Sequence, residues 1–550
     1  MKASFVELKG RERAEALLDK GTFTELLGPF DRIESPHLEP QGIVPESDDG
    51  MIIARGTING LQAVVLSIEG AFQGGGIGEV CGSKIAGSLE RVLVDNQAGK
   101  KTIPIIIFDT GGVRLQEANY GLLIISEIQS AIVALREFVP VIGLIPGNVG
   151  CFGGMSITAA LCSNLIMTAT ARFGMNGPEV IEQEAGIAEF NSKDRRLIWD
   201  TIGGTTRFET GFIDQLVEDD VDTFKAAINK AINETNVKPR TRRIDEYLSL
   251  VNRVDPLKKN TKDDIIELRK AKTNATTPVL ANGIAPGRGR NWFNIFTSNA
   301  VSISEYPSVL IADTNFGGKL TRFIAVVTNS ENRYPRNRHG EVGLQEGWAM
   351  AKYIREAIEA DAITGEKRNI VAVIDVPSQA YGYNEELMGI HFSCAASVDA
   401  YASARMAGHS VTGLIVGNAI SGAFLAHGLQ SSRLIALDDA GINVQAMSKQ
   451  SAARITKRTI AELEEATQKV PAMAYDIKNY FSLGPLDCLI KGVNADEPNP
   501  ADIEKVSYEL LKAIKKSDST IKHRLETKQA VEQGRKYSIL VREKIAEQWT

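Results

Sequence analysis

Cysteine is scarce in this chain: five in 550 residues, an odd number with no C-x-x-C pair. That argues against a disulfide framework and fits reduced thiols in a cytoplasm. An excess of positive charge is absent too. The formal net charge is -6 and the pI near 5.8, which argues against nucleic acid or an anionic membrane as the main partner. Apolar runs such as 139–146 are far short of a membrane span. The first thirteen residues are too charged for a signal peptide, so a soluble, cytoplasmic protein is predicted. Metal ligation has little support, because His391, His409 and His427 are scattered and neither H-E-x-x-H nor paired cysteines occur. No G-x-S-x-G elbow or G-x-x-x-x-G-K-[ST] loop is present either. The loop Glu69-Gly-Ala-Phe-Gln-Gly-Gly-Gly-Ile-Gly-Glu79 misses the dinucleotide pattern, since Glu79 stands where the last glycine belongs.

What the chain does have is 43% hydrophobic and 24% charged residues, the make-up of an ordinary globular protein of two to four domains. Its 49 glycines cluster in turns. Ile103 to Phe108 reads as a buried parallel strand. Asp109-Thr110-Gly111-Gly112 ends it, and a helix is predicted over 115–136. Val141 to Pro146, Gly147 to Gly154 and Met155 to Cys162 repeat the order strand, glycine turn, helix. Two such turns can lie side by side at the carboxyl ends of neighbouring strands, with free helix amides aimed at a ligand. Fixed N–H donors of that kind suit an oxyanion; tight turns that merely require glycine would look the same.

Elsewhere, residues 51–68 read as a hairpin turning at Asn59-Gly60, and a helix is predicted from Val80 to Gln97. Residues 237–290 change character, loosening into Thr273-Asn-Ala-Thr-Thr-Pro and Asn282-Gly-Ile-Ala-Pro-Gly-Arg-Gly-Arg290. This places a linker at 273–286 between domains 1–272 and 287–550. Beyond it the pattern restarts: strands at 308–312 and 323–327, a helix over 347–360, a strand at 370–375 and a helix over 387–407. Val411-Thr-Gly-Leu-Ile-Val-Gly-Asn418 repeats Val141-Ile-Gly-Leu-Ile-Pro-Gly-Asn148 at six of eight positions. Because the element order repeats around it, the chain reads as an internal duplication. From about Pro500 onward a charged helical stretch reads as a surface or assembly element.

Several side chains are candidates for chemistry. His427 follows the Gly422 turn and is either a functional imidazole or a core histidine. Glu179, after Gly177-Pro178, is an acid/base candidate or a helix-start charge. Gln379, Tyr381 and Tyr383 follow strand 370–375 where the first half has Gly111-Gly112. Cys151 lies in a glycine turn and reads as a buried, inert thiol.

Thr110-Gly-Gly-Val-Arg-Leu-Gln-Glu117 resembles the G-G-A-R-φ-Q-E signature of acyl-CoA carboxylase carboxyltransferases of the crotonase superfamily. Gly177-Pro-Glu-Val-Ile-Glu-Gln183 is similar to their G-P-x-V-I-E-Q segment, and Ser421-Gly-Ala-Phe424 to their G-G-A-Y turn. More closely, residues 1–235 resemble the β subunit of malonate decarboxylases and residues 287–495 the γ subunit, with two usually separate subunits joined. The resemblance implies an α/β fold of two duplicated crotonase-like (ββα) spiral domains. It implies decarboxylation of a malonyl thioester on an acyl-carrier subunit, through an enolate held at the meeting of the two halves. Amides of Gly111, Gly112, Gly153 and Gly154 would hold the enolate oxygen, with Gly75 and Gly76 beside the substrate. Gly422 and Ala423 would face the departing carboxylate, and His427 or Tyr381 would pass a proton. It further implies no cofactor bound by this chain, an acyltransferase subunit as another partner, and a homo-oligomer. In the alternative, the carboxyl group passes to biotin on another chain. A third reading is a non-catalytic or hydrolytic crotonase-fold protein.

Overall fold

The computed structural model describes residues 4–234, 238–271 and 281–549. The chain divides into two compact units. One comprises residues through Arg242, Thr261–Glu267 and the stretch from Lys536; the other comprises Arg243–Asn260 and Leu268–Arg535.

In the first unit seven strands lie side by side in chain order: β1 (Thr24–Leu26), β2 (Met51–Ile58), β3 (Leu61–Ile68), β4 (Thr102–Ile107), β5 (Ile142–Ile145), β6 (Asn164–Thr168) and β7 (Gln215–Val217). β1 to β3 pair antiparallel, and β3 to β7 pair parallel. The β2–β3 hairpin turns at Asn59-Gly60, as predicted. Both residues are left-handed, with φ of 50° and 77°, the geometry that matches strand twist. All six positions of β4 are buried, which is why the sequence shows an unbroken apolar run rather than an alternation. The crossovers carry α1 (Glu79–Gln97), α2 (Ala118–Leu135) and α3 (Gly153–Leu161). The predicted helix start at Leu115 is a 3₁₀ turn, Leu115–Glu117, and α2 proper begins at Ala118. Residues 115–135 are long and apolar enough to cross a membrane, but 94% of the apolar window is buried inside the protein. α2 is a core helix, buried on nearly every face, with its polar residues such as Glu127 and Gln129 buried too.

The second unit opens with α4 (Ile244–Arg253) and centres on a sheet ordered β14-β12-β11-β10-β9-β8. Its strands are β8 (Val309–Phe316), β9 (Lys319–Val326), β10 (Asn369–Val376), β11 (Val411–Ile420), β12 (Arg433–Leu437), β13 (Val444–Gln445), which pairs with β11, and β14 (Cys488–Ile490). β8 and β9 form a hairpin through Gly317-Gly318, and the remaining pairings are parallel. Crossovers carry α5 (Leu344–Thr364), α6 (Ile390–Met406) and the short α7 (Ser421–Ala426). The element order of the first unit thus recurs. One difference has a visible cause. β5 stops before Pro146, which has no N–H to continue a ladder. Val416 stands at the matching place, and β11 runs on to Ile420.

The units divide the chain differently from the predicted 1–272 and 287–550. Residues 243–260 belong to the second unit, because α4 is amphipathic and its apolar face needs α5. Tyr247 stacks on Trp348 at 4.6 Å, and the Tyr334 hydroxyl donates to Val251 O at 2.8 Å. Residues 273–280 of the predicted linker lie outside the described residues. Residues 281–286 are docked on the second unit, where Ile284 pairs with Asn329 and Gly283 N–H donates to Asn329 Oδ1 at 2.7 Å. The last helix, α8 (Lys536–Gln548), belongs to the first unit and packs along α1.

Candidate active site

Three glycine segments meet at the carboxyl ends of β3, β4 and β5. Thr110 bridges Cys151, drawing the two strand-to-helix turns together. A Cβ added to Gly112 would lie 3.0 Å from Gly153 Cα and 3.0 Å from Phe152 O, and one added to Gly75 would overlap the Asp109 carbonyl oxygen. Gly75, Gly112 and Gly153 all have positive φ, at 65°, 105° and 57°. Here glycine is required both by conformation and by close backbone approach.

That close packing uses up most of the amides expected to face a ligand. Gly111 N–H donates to Gly74 O at 2.8 Å, Gly112 N–H to Thr110 Oγ1 at 3.0 Å, and Gly153 N–H to Met175 O at 2.8 Å. Gly75 and Gly76 N–H close the turn on Phe72 O and Gln73 O. The expectation that Gly111, Gly112 and Gly153 present free donors is therefore corrected: the turns spend those N–H groups holding one another. Gly154 N–H, and beside it Met155 N–H, have no acceptor among the described residues. They sit in the first turn of α3, where helix amides are unpaired and the dipole is positive.

The charged residues of the 110–117 signature lie behind the turn. Arg114, 2% exposed, bridges Asp49 at 2.7 Å and Glu117 at 2.8 Å. Burial disfavours its cation, but Asp49, Cys81 and Glu117 outweigh that, and its pKa is raised. Glu117 also accepts from Ser35 at 2.8 Å and from Glu79 N–H at 3.2 Å. Asp109, at the end of β4, pairs with buried Arg13 at 2.9 Å and accepts Val149 N–H at 2.6 Å. These groups set the backbone path. The anchoring roles of Asp109 and Thr110 were not read from the sequence; the available signal was an aspartate at the carboxyl end of each matching apolar run, Asp109 just beyond β4 and Asp375 near the end of β10. Cys151 is fully buried and its thiol is pushed well up by burial. Glu179 is exposed at the start of the helix Pro178–Ala185, close enough to Arg172 for their charges to interact.

In the second unit Gln379 and Gly422 are brought together: Gly422 N–H donates to Gln379 Oε1 at 3.1 Å. The Gln379 backbone is clamped on both sides, with Val342 N–H to Ser378 O and Ala380 N–H to Val342 O, each 3.0 Å. Ile77 clamps Val113 in the same way through Gly112 and Arg114. Ser421 enters α7 at φ 58°, almost the value of Gly153 at the start of α3. Ala423 N–H has no acceptor among the described residues. Asp375 Oδ1 accepts Asn418 N–H at 3.1 Å, matching Asp109 and Val149. Tyr381 is half-buried.

His427 is not free to move a proton. Its Nε2 donates to Val373 O at 3.0 Å, which leaves Nδ1 to accept from the Tyr401 hydroxyl at 3.0 Å. The ring is fully buried, and burial pushes its pKa down to about 4. The proton-carrying role expected of His427 is corrected to that of a neutral core histidine. Tyr383 likewise spends its hydroxyl inside the unit, on Asn260 O at 2.7 Å. Among the described residues no cluster of His, Cys, Asp or Glu could hold a metal ion.

A family model described as the malonate decarboxylase gamma subunit matches residues 337–549. The chain is 40% identical over 279 residues to the malonyl-S-ACP:biotin-protein carboxyltransferase MADC of Malonomonas rubra, covering 48% of this chain and 88% of that protein. It is 33% identical over 209 residues to MADD of the same organism, covering 36% of this chain and 72% of that one. Among solved structures, a chain of a Pseudomonas malonate decarboxylase hetero-tetramer in complex with malonate is 50% identical. The match covers 48% of this chain and 97% of that one, with a TM-score of 0.48. The chain belongs to the malonate decarboxylase family, with its β- and γ-subunit-like parts joined in one polypeptide.

Proposed function

We propose that the chain removes the terminal carboxyl group of a malonyl thioester presented by an acyl-carrier subunit, giving an acetyl thioester and CO₂. Identity of 40% across 88% of a relative named for malonyl-S-ACP carboxyl chemistry carries this reading. The bond between the methylene carbon and the carboxylate breaks, and its electron pair moves into the thioester as an enolate. Proton transfer to the methylene carbon then gives the acetyl group. The energetic problem is the enolate oxygen, and preorganised N–H donors at that oxygen address it. Gly154 and Met155 are our assignment for those donors, since their N–H groups have no acceptor among the described residues. Gly422 and Ala423 would receive the departing carboxylate once Gln379 yields its hydrogen bond. Tyr381 is then the hydroxyl nominated as proton source, in place of His427. Glu179, exposed at the start of its helix, is assigned to substrate binding. In this reading the chain is two duplicated crotonase-like domains of a cytoplasmic oligomer, each with its own glycine site, and an acyltransferase subunit reloads the carrier.

A second reading is transfer of the carboxyl group to a biotin carried on another chain, favoured by the names of both curated relatives. One experiment separates them. Malonyl-CoA and malonyl-carrier protein are incubated with the chain, with and without a biotin carrier, and the thioester is followed by mass spectrometry. Acetyl thioester forming equally fast without biotin supports direct decarboxylation. Turnover only with biotin, with carboxybiotin accumulating, replaces it with the transferase. No turnover in either arm leaves the third reading, a crotonase-like fold without this chemistry.

A further inference from the structure

We propose that the chain's last helix, α8, is a positioning element for the first-unit site, and that Ser538 is the residue through which it acts. The proposal deepens the reading above, because it says what holds the Gly111-Gly112 turn in place. Residues 536–549 lie inside the stretch matched by the γ-subunit family model, yet they fold as part of the unit built from the chain's first half.

The contact is specific. Both Ser538 N–H and its hydroxyl donate to Glu79 Oε1, at 2.9 and 3.0 Å. The other Glu79 oxygen meets His37 Nε2 at 2.6 Å. Glu79 is the first residue of α1, at the exit of the Gly74–Gly76 loop. From there the connections are continuous and buried: Glu79 N–H to Glu117, Glu117 to Arg114, and Arg114 N–H to Ile77 O, with Ile77 N–H on Gly112 O. A Cβ on Gly78 would overlap the Glu117 carboxylate, so that loop has no slack. Further along α8, Arg542 holds Glu90 at 3.0 Å and Glu127 at 2.8 Å, and Val541 and Ile545 are fully buried. The approach is close enough that a Cβ on Gly87 would lie 3.0 Å from Ile545 Cδ1. The distal half of α8 anchors the helix, and Ser538 at its near end fixes the head of α1 and with it the glycine loop.

Hydrogen exchange read on peptides 73–79 and 108–117 tests this apart from any activity. Truncation after Arg535 is expected to speed exchange there by about tenfold or more, since the head of α1 loses its tie. Ser538→Ala should speed it about threefold to tenfold, the loss of one net hydrogen bond while the Ser538 N–H to Glu79 is kept. Ser538→Thr should restore it. Adding a peptide of residues 536–549 to the truncated chain should reverse the effect, and the same peptide with Arg542→Glu should not. Ser538→Ala should also lower kcat on malonyl thioester while leaving KM unchanged. Faster exchange confined to the middle of α1 around Gly87, with both glycine peptides unchanged, would make α8 plain packing and overturn the proposal. Absence of wild-type turnover would remove the functional reading while leaving the exchange result to decide the positioning role.

Discussion

Gly111 and Gly112 are neighbours in one motif, yet the structure predicts opposite tolerance to a methyl group. At Gly112 φ is 105°, outside the range that L-residues adopt without strain, which costs roughly 1–3 kcal/mol. The new Cβ would also stand 3.0 Å from Gly153 Cα and from Phe152 O. Both are backbone atoms that no rotamer change can move, so the turns must part by several tenths of an ångström. Overpacking of that kind adds roughly 1–3 kcal/mol. Together Gly112→Ala should cost about 2–6 kcal/mol. At Gly111 the nearest atom to an added Cβ is Gly74 O at 3.4 Å, and φ is not positive, so Gly111→Ala should cost less than about 1 kcal/mol. With two units, a single unfolding curve is ambiguous. Hydrogen exchange of β4 and β5 amides reads the first unit alone. Equal effects of the two substitutions, or a Gly112→Ala change below about 0.5 kcal/mol, would refute the close-packing argument.

Other perturbations address the remaining groups. Gly154→Pro removes one open donor where proline is tolerated in a first helical turn; turnover of malonyl thioester should fall about 10²–10³-fold with the fold kept by circular dichroism. Arg114→Met leaves Asp49 and Glu117 buried without their cation, and hydrogen exchange of the β4 and β5 amides should show a loss of about 3–5 kcal/mol. His427 has a pKa near 4 in the fold against about 6.5 when unfolded. Its contribution to stability is therefore complete above pH 6.5 and is lost as the pH falls through 4, roughly 3 kcal/mol in all. His427→Gln should flatten the stability curve in that window. Cys151 should resist iodoacetamide in the native protein and react on unfolding, as peptide mapping would show.

Local features were legible in the sequence because their causes are local. The Asn59-Gly60 turn follows from two residues that accept positive φ, and β4 from the apolar run Ile103 to Phe108. The side-by-side glycine turns were legible from their repeated order. What each amide bonds to was not, because the acceptors come from distant positions: Gly74 for Gly111, and Met175 for Gly153. The same holds for His427, whose partners Tyr401 and Val373 lie on α6 and β10. Its neutral state follows from that enclosure, and nothing adjacent in sequence signals it. Nor does a charged C-terminal stretch announce that it will supply Ser538 to a glutamate 459 positions earlier.

The two units preserve backbone geometry and vary the groups placed on it. Gly153 and Ser421 share one left-handed slot; Val113 and Gln379 share one clamped position. The consequence lies in the amide next door. Gly154 N–H is open, whereas Gly422 N–H is closed by a side chain, and a side chain can withdraw by changing rotamer where a backbone carbonyl such as Gly74 O cannot. Gly422 is therefore a donor held by a side chain and Gly111 one held by backbone. Gln379→Ala should then speed exchange of the Gly422 amide by about fivefold to tenfold, the worth of one net hydrogen bond, and leave the Gly111 amide untouched. An unchanged Gly422 amide would mean that Gln379 does not protect it, and the contrast between the two units would lose its physical basis.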